Sequence, residues 1–431
     1  MKVLVVGGGG REHALVWKLS QSPMVEALFC APGNGGISDA AACVGLDAGD
    51  IDGLISFVKR EGIEFVVVGP ENPLAAGIVD AFEREGILIF GPRAAGARME
   101  TSKIFAKQLM ERHSIPTASF KIFEAYEDAE RYVRALQPPY VVKADGLAAG
   151  KGAYVIKGRD EGEKALRETL VDSLFGEAGR RIIVEEFLEG IEASCLAFTD
   201  GQSMLPMLPS QDHKALLDND RGPNTGGMGA YTPLTFLDKP MEEEINNSIM
   251  TRTVTALRSE GIGYKGVLYG GIMIAHGKPF VLEFNARFGD PETQPILFKM
   301  ESDLLPILLA CAEGRLSGVG EITWKRGVSI CVVLASGGYP EKPEKGKLIR
   351  GLEEMKRSND VFVFHAGTKK VGNEYYTSGG RVLGVTAMGE THKDAIRKVY
   401  DAVSCISFDG MQYRRDIGAK ALKVISTGAD I

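Results

Sequence analysis

Short apolar runs, glycine turns and stretches of helical period alternate through the first hundred residues. Val3-Leu4-Val5-Val6, Phe65-Val66-Val67-Val68 and Ile87-Leu88-Ile89-Phe90 are continuously apolar, the pattern of parallel strands covered on both faces. Each run leads into a glycine: Gly7, Gly69 and Gly91. Helical periodicity lies around Glu12–Ser20, Leu54–Arg60 and Ile78–Glu85. Strand, glycine turn and helix in repetition predict a doubly wound α/β sheet, with its binding crevice at the carboxyl ends of the strands. Near residue 100 the pattern changes. Thr101-Ser102 can cap a helix from Lys103 to about Arg112, stopped ahead of Pro116. Beyond it, strands are predicted at Tyr140–Lys143, Ala153–Ile156, Ile182–Glu185, Val267–Ile274 and Phe280–Asn285. Helices are predicted around Asp128–Leu136, Glu242–Glu260 and Asp303–Glu313. A third unit opens with a strand at Val328–Leu334 and carries a loop at Gly337–Lys347, a strand at Arg381–Thr386 and a helix at His392–Ile406.

Composition adds bounds. A chain of 431 residues has room for about three domains. The 44% hydrophobic and 25% charged shares are ordinary for a globular protein. Glycine is not: there are 53, about 12% against a usual ~7%, gathered between apolar runs where backbone must turn tightly or approach a ligand. A net charge of −7 weighs against a nucleic-acid platform, which needs Lys and Arg to neutralise phosphates. Cys30, Cys43, Cys195, Cys311, Cys331 and Cys405 form no C-x-x-C pair, so reduced, buried thiols are expected rather than a disulfide framework or zinc site. Only four apolar residues follow Met1-Lys2 before glycine, too few for a signal peptide. No segment approaches the ~20 apolar residues of a membrane span. The expectation is a soluble cytoplasmic α/β protein without nucleic-acid or membrane partners, a monomer or weak homodimer.

Four segments carry candidate chemistry. Gly7-Gly8-Gly9-Gly10-Arg11-Glu12-His13 follows a strand and opens a helix, where bare N–H groups favour a phosphate or carboxylate. The dinucleotide pattern G-x-G-x-x-G fails, because its third glycine falls on Glu12 or His13 and no acid ends the second strand, Phe29-Cys30-Ala31-Pro32. An anion site for another phosphorylated ligand competes with a purely structural turn. Lys143-Ala-Asp-Gly146-Leu-Ala-Ala-Gly150-Lys151-Gly152 departs from a phosphate loop in its glycine spacing and in the glycine after its lysine. With strands on both sides it is a glycine-rich hairpin, able to fold over a triphosphate as a lid. A bland surface hairpin is disfavoured by Lys143, since an unpaired ammonium ending an apolar strand would be costly. Glu283 and Asn285 are two apart on a strand and share a face, presenting the hard oxygens that a magnesium ion bridging phosphates requires. Arg287 joins that face if the strand continues and can grip a carboxylate or phosphoryl group; the alternative is a structural salt-bridge cluster. Glu185-Glu186-Phe187-Leu188 could accept from a purine amine and line its ring. His213 has no Ser or Cys partner at triad spacing, and loop scaffold and substrate contact stay equally open for it.

Taken together these residues resemble the ATP-grasp ligases and, within them, the glycinamide ribonucleotide synthetase family, over essentially the whole chain. The resemblance rests on the opening glycine run, Gly69-Pro70-Glu71, the Lys143–Gly152 hairpin, Ser210–Lys214, Gly222–Tyr231 and Arg287–Gln294. His365–Thr368, Gly379–Arg381, Phe408–Gly410 and Asp416–Gly418 are similar to the family's C-terminal domain. It implies an N-terminal doubly wound parallel-sheet domain (1–102), a central ATP-grasp domain (103–326) with a mobile lid at about 121–188, and a small C-terminal α/β domain (327–431). It also implies ligation of glycine to 5-phosphoribosylamine with ATP, through a glycyl phosphate, in purine biosynthesis. Lys103 and Lys143 would then meet the ATP phosphates, under a lid of Gly146, Gly150, Lys151 and Gly152. Glu185, Glu186, Phe187 and Leu188 would hold adenine, Glu192 the ribose, and Glu283 and Asn285 a Mg²⁺ or Mn²⁺ ion. Around glycine and phosphoribosylamine would stand Gly9, Gly10, Arg11, Glu12, Asn34, Gly69, Pro70, Glu71, Asp212, Lys214, Gly226, Gly227, Met228, Gly229, Arg287, Asp290 and Glu292. Arg287, Lys143 and Asp212 would be the catalytic groups. Another ATP-grasp carboxylate–amine ligase and a non-catalytic nucleotide-binding protein are the alternatives, separable by glycine-dependent ADP release.

Overall fold

In the computed structural model, which describes residues 1–147, 152–355 and 359–422, Val3 to Val6 are wholly buried. Their strand, Lys2–Gly7, is central in a five-stranded parallel sheet with Ala42–Cys43, Ala27–Pro32, Phe65–Val68 and Ile89–Phe90. Leu4, Val6, Val66 and Val68 pack on one face with Leu54 and Phe57, while Val3, Val5, Phe65 and Val67 pack on the other with Ala14 and Leu15. Both faces are covered, as continuous apolar strands require. The strand expected over Ile87–Phe90 is shorter, Ile89–Phe90. The order in which strands are added reverses beside Lys2–Gly7, so Gly7 and Gly69 stand at the ends of neighbouring parallel strands, at one crevice.

The middle of the chain builds two antiparallel sheets. One pairs Phe120–Phe123, Ile182–Glu186, Tyr140–Ala144 and Ala153–Ile156, with a small core of its own under Ala129, Val133 and Leu166. The other pairs Met204–Pro206, Ile191–Thr199, Gly266–Ala275 and Lys278–Asn285. The helix expected over Glu242–Glu260 runs from Lys239 to Ser259 with wider turns at Ile245–Thr251. The sheet of the third unit, called the third sheet, orders Gln211–Asp212, Gly229–Thr232, Val328–Ala335, Arg381–Gly389 and Val361–His365, so two strands from the middle of the chain pair into it and carry the 213–228 segment to the first crevice. No helix among the described residues is long and apolar enough to cross a membrane.

The first helix, Gly10–Leu19, meets the third sheet through a histidine pair. His365 N–H donates to His13 Nδ1 at 2.7 Å, and burial, with the neighbouring His365, holds the His13 ring at about 3 instead of 6.5. Between those values the unfolded chain binds a proton that the folded one refuses, so stability falls as pH falls, by about 1.4 kcal/mol per pH unit. Burial holds His213 low in the same way, at about 4. His13→Asn keeps an acceptor near the Nδ1 position. It is expected to flatten the loss of denaturant stability between pH 6.5 and 5 by about that slope; an unchanged slope would mean that His13 is protonated in the folded state.

Candidate active site

A cleft of about 760 Å³ is lined by residues from all three units of the chain, among them Arg11, Glu185, Glu283 and Arg381. At its first wall, Gly7 has φ +124° and a Cβ there would stand 2.6 Å from Glu12 Cγ, so glycine makes room for the Glu12 side chain. That carboxylate accepts from Gly9 N–H and from Arg11 Nε, each at 2.6 Å. The Asp290 carboxylate stands at the same helix start, its Oδ2 3.4 Å from the Cβ position of Gly9. The helix start that the glycine run offers to a phosphate thus has two protein carboxylates beside it, one bonded to Gly9 N–H, and Gly9 and Gly10 leave room for them. Pro70 caps a short helix that begins at Glu71. Arg11 Nη1 donates to Phe288 O at 3.1 Å and lines the cleft with Glu71. Asn34, expected among the substrate contacts, braces backbone: its Nδ2 donates to Gly8 O and His365 O, and its Oδ1 accepts from Gly36 and Ile37.

Lysines gather at the opposite end. Ser102 caps the helix Lys103–Arg112 by accepting from Phe105 N–H, which presents Lys103 at its first position. Lys103 Nζ donates to Gly146 O at 3.0 Å. Lys143 Nζ stands 2.9 Å from Glu185 Oε2 and donates to Leu282 O, the partners that a buried ammonium needs. Lys107, which the sequence reading missed, lies 3.3 Å from Glu185 Oε1; burial pulls it down to about 8 against the pull of that carboxylate. Its signal was its place one helical turn after Lys103. Gly152 lines the cleft; Gly150 and Lys151 lie outside the described residues. Glu185 lines both the cleft and an adjoining cavity of about 510 Å³, which Glu186, Phe187 and Leu188 line with Ser119 and Phe280.

Glu283, Asn285 and Arg287 reach the cleft together from the end of strand Lys278–Asn285. Lys214 bridges Glu283 at 3.6 Å and Glu192 at 3.3 Å. Lys214 foremost, with Lys143, Lys103 and Arg287, holds the Glu283 carboxyl down at about 2. An ionised carboxylate and an amide oxygen on one strand fit a hard divalent cation that completes its shell with phosphate and water. No cluster of three His, Cys, Asp or Glu that could form an all-protein cage occurs among the described residues. Arg287 Nη2 pairs with Glu100 at 2.8 Å, and its Nε stands 3.4 Å from Glu71. Burial opposes the charge on Arg287, but Glu100 and Glu71 more than restore it.

Asp212 and Glu292 complete the floor. Burial, then Glu292, pushes the Asp212 carboxyl well above its usual range, and Glu292 accepts from Tyr269 and Ser194 hydroxyls at 2.9 and 3.1 Å. Gly227 has φ +109°, and a Cβ there would stand 2.5 Å from Pro291 and 2.6 Å from Asp212 Oδ1; glycine is required. The Met228 side chain is wholly buried, and Gly229 pairs with Val332 in the third sheet. His213 is scaffold: it is buried, with Nδ1 3.2 Å from Gly229 O. Glu100, Tyr269, Tyr339 and Arg381 also line the cleft, and the sequence reading gave none of them a role.

Comparison with known proteins places these features in a family. Models of phosphoribosylglycinamide synthetase match the chain: the N domain over residues 1–100, the ATP-grasp (A) domain over 101–293 and the C domain over 329–420. The phosphoribosylamine–glycine ligase of Caldanaerobacter subterraneus is 48% identical over 97% of this chain and 100% of its own length. The crystal structure of phosphoribosylamine–glycine ligase from Thermotoga maritima superimposes with a TM-score of 0.84 at 32% identity, covering 96% of this chain and 100% of that one. The biotin carboxylase domain of Hydrogenobacter thermophilus 2-oxoglutarate carboxylase, solved with MgADP and bicarbonate, shares the fold: TM-score 0.73, 17% identity, 96% and 91% coverage.

Proposed function

The chain belongs to the phosphoribosylglycinamide synthetase family, and on that premise we propose that its cleft joins glycine to 5-phosphoribosylamine through a glycyl phosphate. The protein is an ATP-dependent carbon–nitrogen ligase of purine biosynthesis, forming glycinamide ribonucleotide, ADP and phosphate. ATP and a divalent metal serve it, as they serve the fold; either Mg²⁺ or Mn²⁺ suits a carboxylate and an amide oxygen. The observation that carries the proposal is the convergence of Lys103, Glu283, Asn285, Arg287 and Asp212 on one cleft in a chain related to these ligases over its full length.

A carboxylate is a poor electrophile, so glycine must be activated before an amine attacks it. Transfer of the ATP γ-phosphoryl to the glycine carboxylate forms a mixed anhydride. Attack by the ribosylamine nitrogen then forms the C–N bond, breaks the C–O bond to phosphate and releases one proton. Such chemistry asks for positioning and charge neutralisation. Lys103 and Lys143 would neutralise the phosphates, and Arg287 would hold the reacting carboxylate or phosphoryl oxygens. Glu283 and Asn285 would hold the metal, which when bound neutralises and orients the phosphate oxygens. Asp212, with its raised affinity for a proton, is suited to accept the proton of the attacking amine. Residues 121–188 would form the lid that keeps water from the anhydride.

ADP release measured with each substrate omitted in turn is the direct test. Labelled glycinamide ribonucleotide is expected only with ATP, glycine and phosphoribosylamine together, and product formed without ATP would exclude a ligase. Chelation by EDTA is expected to abolish turnover and added Mg²⁺ or Mn²⁺ to restore it; full activity in excess chelator would remove the metal from the scheme.

A further inference from the structure

Arg381 opens the strand Arg381–Gly389 of the third sheet and reaches the cleft from that side. Its Nη1 donates to Gly226 O and to Asp290 O, each at 2.6 Å, with Gly227 O at 3.5 Å. Nη2 stands 3.2 Å from Asp290 Oδ2. One guanidinium thereby fastens the 226–227 loop to the turn after strand Lys278–Asn285. Asp290 in turn accepts from Gln294 at 2.8 Å and stands at the first helix start, its Oδ2 3.4 Å from the Cβ position of Gly9, so parts of all three units meet at this side chain. Tyr339, on the same side, accepts from Gly226 N–H at 3.0 Å. Gly226 leaves room for the fork, since a Cβ there would stand 3.1 Å from Arg381 Cζ.

The fastened loop covers Asp212: the Cβ position of Gly227 is 2.6 Å from Asp212 Oδ1, and the Arg381 charge also faces Asp212 and Glu292. Lys103, Lys143 and Glu185 belong to the other end, tied to Gly146 and Leu282. A planar fork serving several oxygens at once is a task that lysine, with one nitrogen, cannot take over.

We infer that Arg381 is a positioning residue for the acceptor half of the ligation, holding the 226–227 loop and the Asp290 turn so that phosphoribosylamine meets the acyl phosphate, and that it is dispensable for forming that acyl phosphate. The inference rests on the ligase function proposed above. It separates the two half-reactions. Hydroxylamine traps glycyl phosphate as the hydroxamate, displacing phosphate, and is small enough to need no built acceptor pocket.

In R381M, kcat/KM for phosphoribosylamine is expected to fall about 100-fold, the scale of a misplaced reactant, while ATP-dependent hydroxamate formation stays within about threefold. Guanidinium added to R381A is expected to restore ligation in part, and R381K to remain impaired. Equal loss of both rates in R381M, or undiminished ligation, would overturn the inference. If R381M does not fold, R381K is measured in the same two assays, with the same outcomes deciding. A wild-type chain that makes neither glycinamide ribonucleotide nor hydroxamate would overturn the ligase function itself, a result distinct from any loss confined to the variants.

Discussion

Glu283→Ala is expected to lower kcat/KM by at least about 100-fold, the scale of a lost charge-stabilising contact, with the fold intact. The carboxylate is the anionic centre of the cleft, with Lys214, Lys143, Lys103 and Arg287 holding it at about 2, so it is ionised at any working pH. Its side chain is 35% exposed, and Lys214 retains Glu192 at 3.3 Å when it is removed; no buried charge is left without a partner. The loss should therefore fall on the metal. ADP release across a metal titration is expected to show a raised metal requirement as well as a lower maximum. Glu283→Gln, which keeps an oxygen but not the charge, should fall between the wild type and the alanine variant. Near-normal turnover at the wild-type metal concentration would place the ion elsewhere.

What could be read from the sequence was what local pattern dictates. The apolar runs at residues 3–6 and 65–68 have no stable place except between two covered faces. Glu283, Asn285 and Arg287 share a direction through their spacing. Lys143 announced a partner through the cost of burying an ammonium, but which partner, Glu185, depended on the pairing of two strands. The glycine run announced an anion at the helix start; that the anions are Glu12 and Asp290 follows from contacts between units. Strand Ile191–Thr199 escaped because Glu192, Ser194 and Thr199 interrupt its apolar pattern, and its nine pairings are with Gly266–Ala275, far along the chain. Glu100 was silent for the same reason, and Arg381, though it closes the Gly379–Arg381 motif, had no role assigned. Each is an ordinary charged residue in its own segment and acquires a role only from the turn at 286–290.

Arg287→Met should reduce both activity and stability, and the two losses can be separated. Glu100 is buried, with Oε1 2.8 Å from Arg287 Nη2 and Oε2 accepting from Ala286 N–H at 2.8 Å. Removing the arginine leaves that carboxylate without its counter-charge, a loss of about 3–5 kcal/mol for a broken buried pair. Burial already raises the Glu100 carboxyl against the pull of Arg287, and the variant should raise it further. A carboxyl whose folded value lies above its unfolded one stabilises the fold below the unfolded value and loses that contribution as pH rises through the folded value. The stability gap between R287M and the wild type is therefore expected to widen from pH 5 to pH 8. The double variant R287M/E100Q removes the orphaned charge and should regain most of the stability. It should not regain turnover, because Arg287 faces the cleft, and kcat/KM is expected to stay down by about 100-fold or more. Recovery of activity together with stability in the double variant would make Arg287 a structural residue, and the grip on the reacting oxygens would have to be assigned to another cation of the cleft.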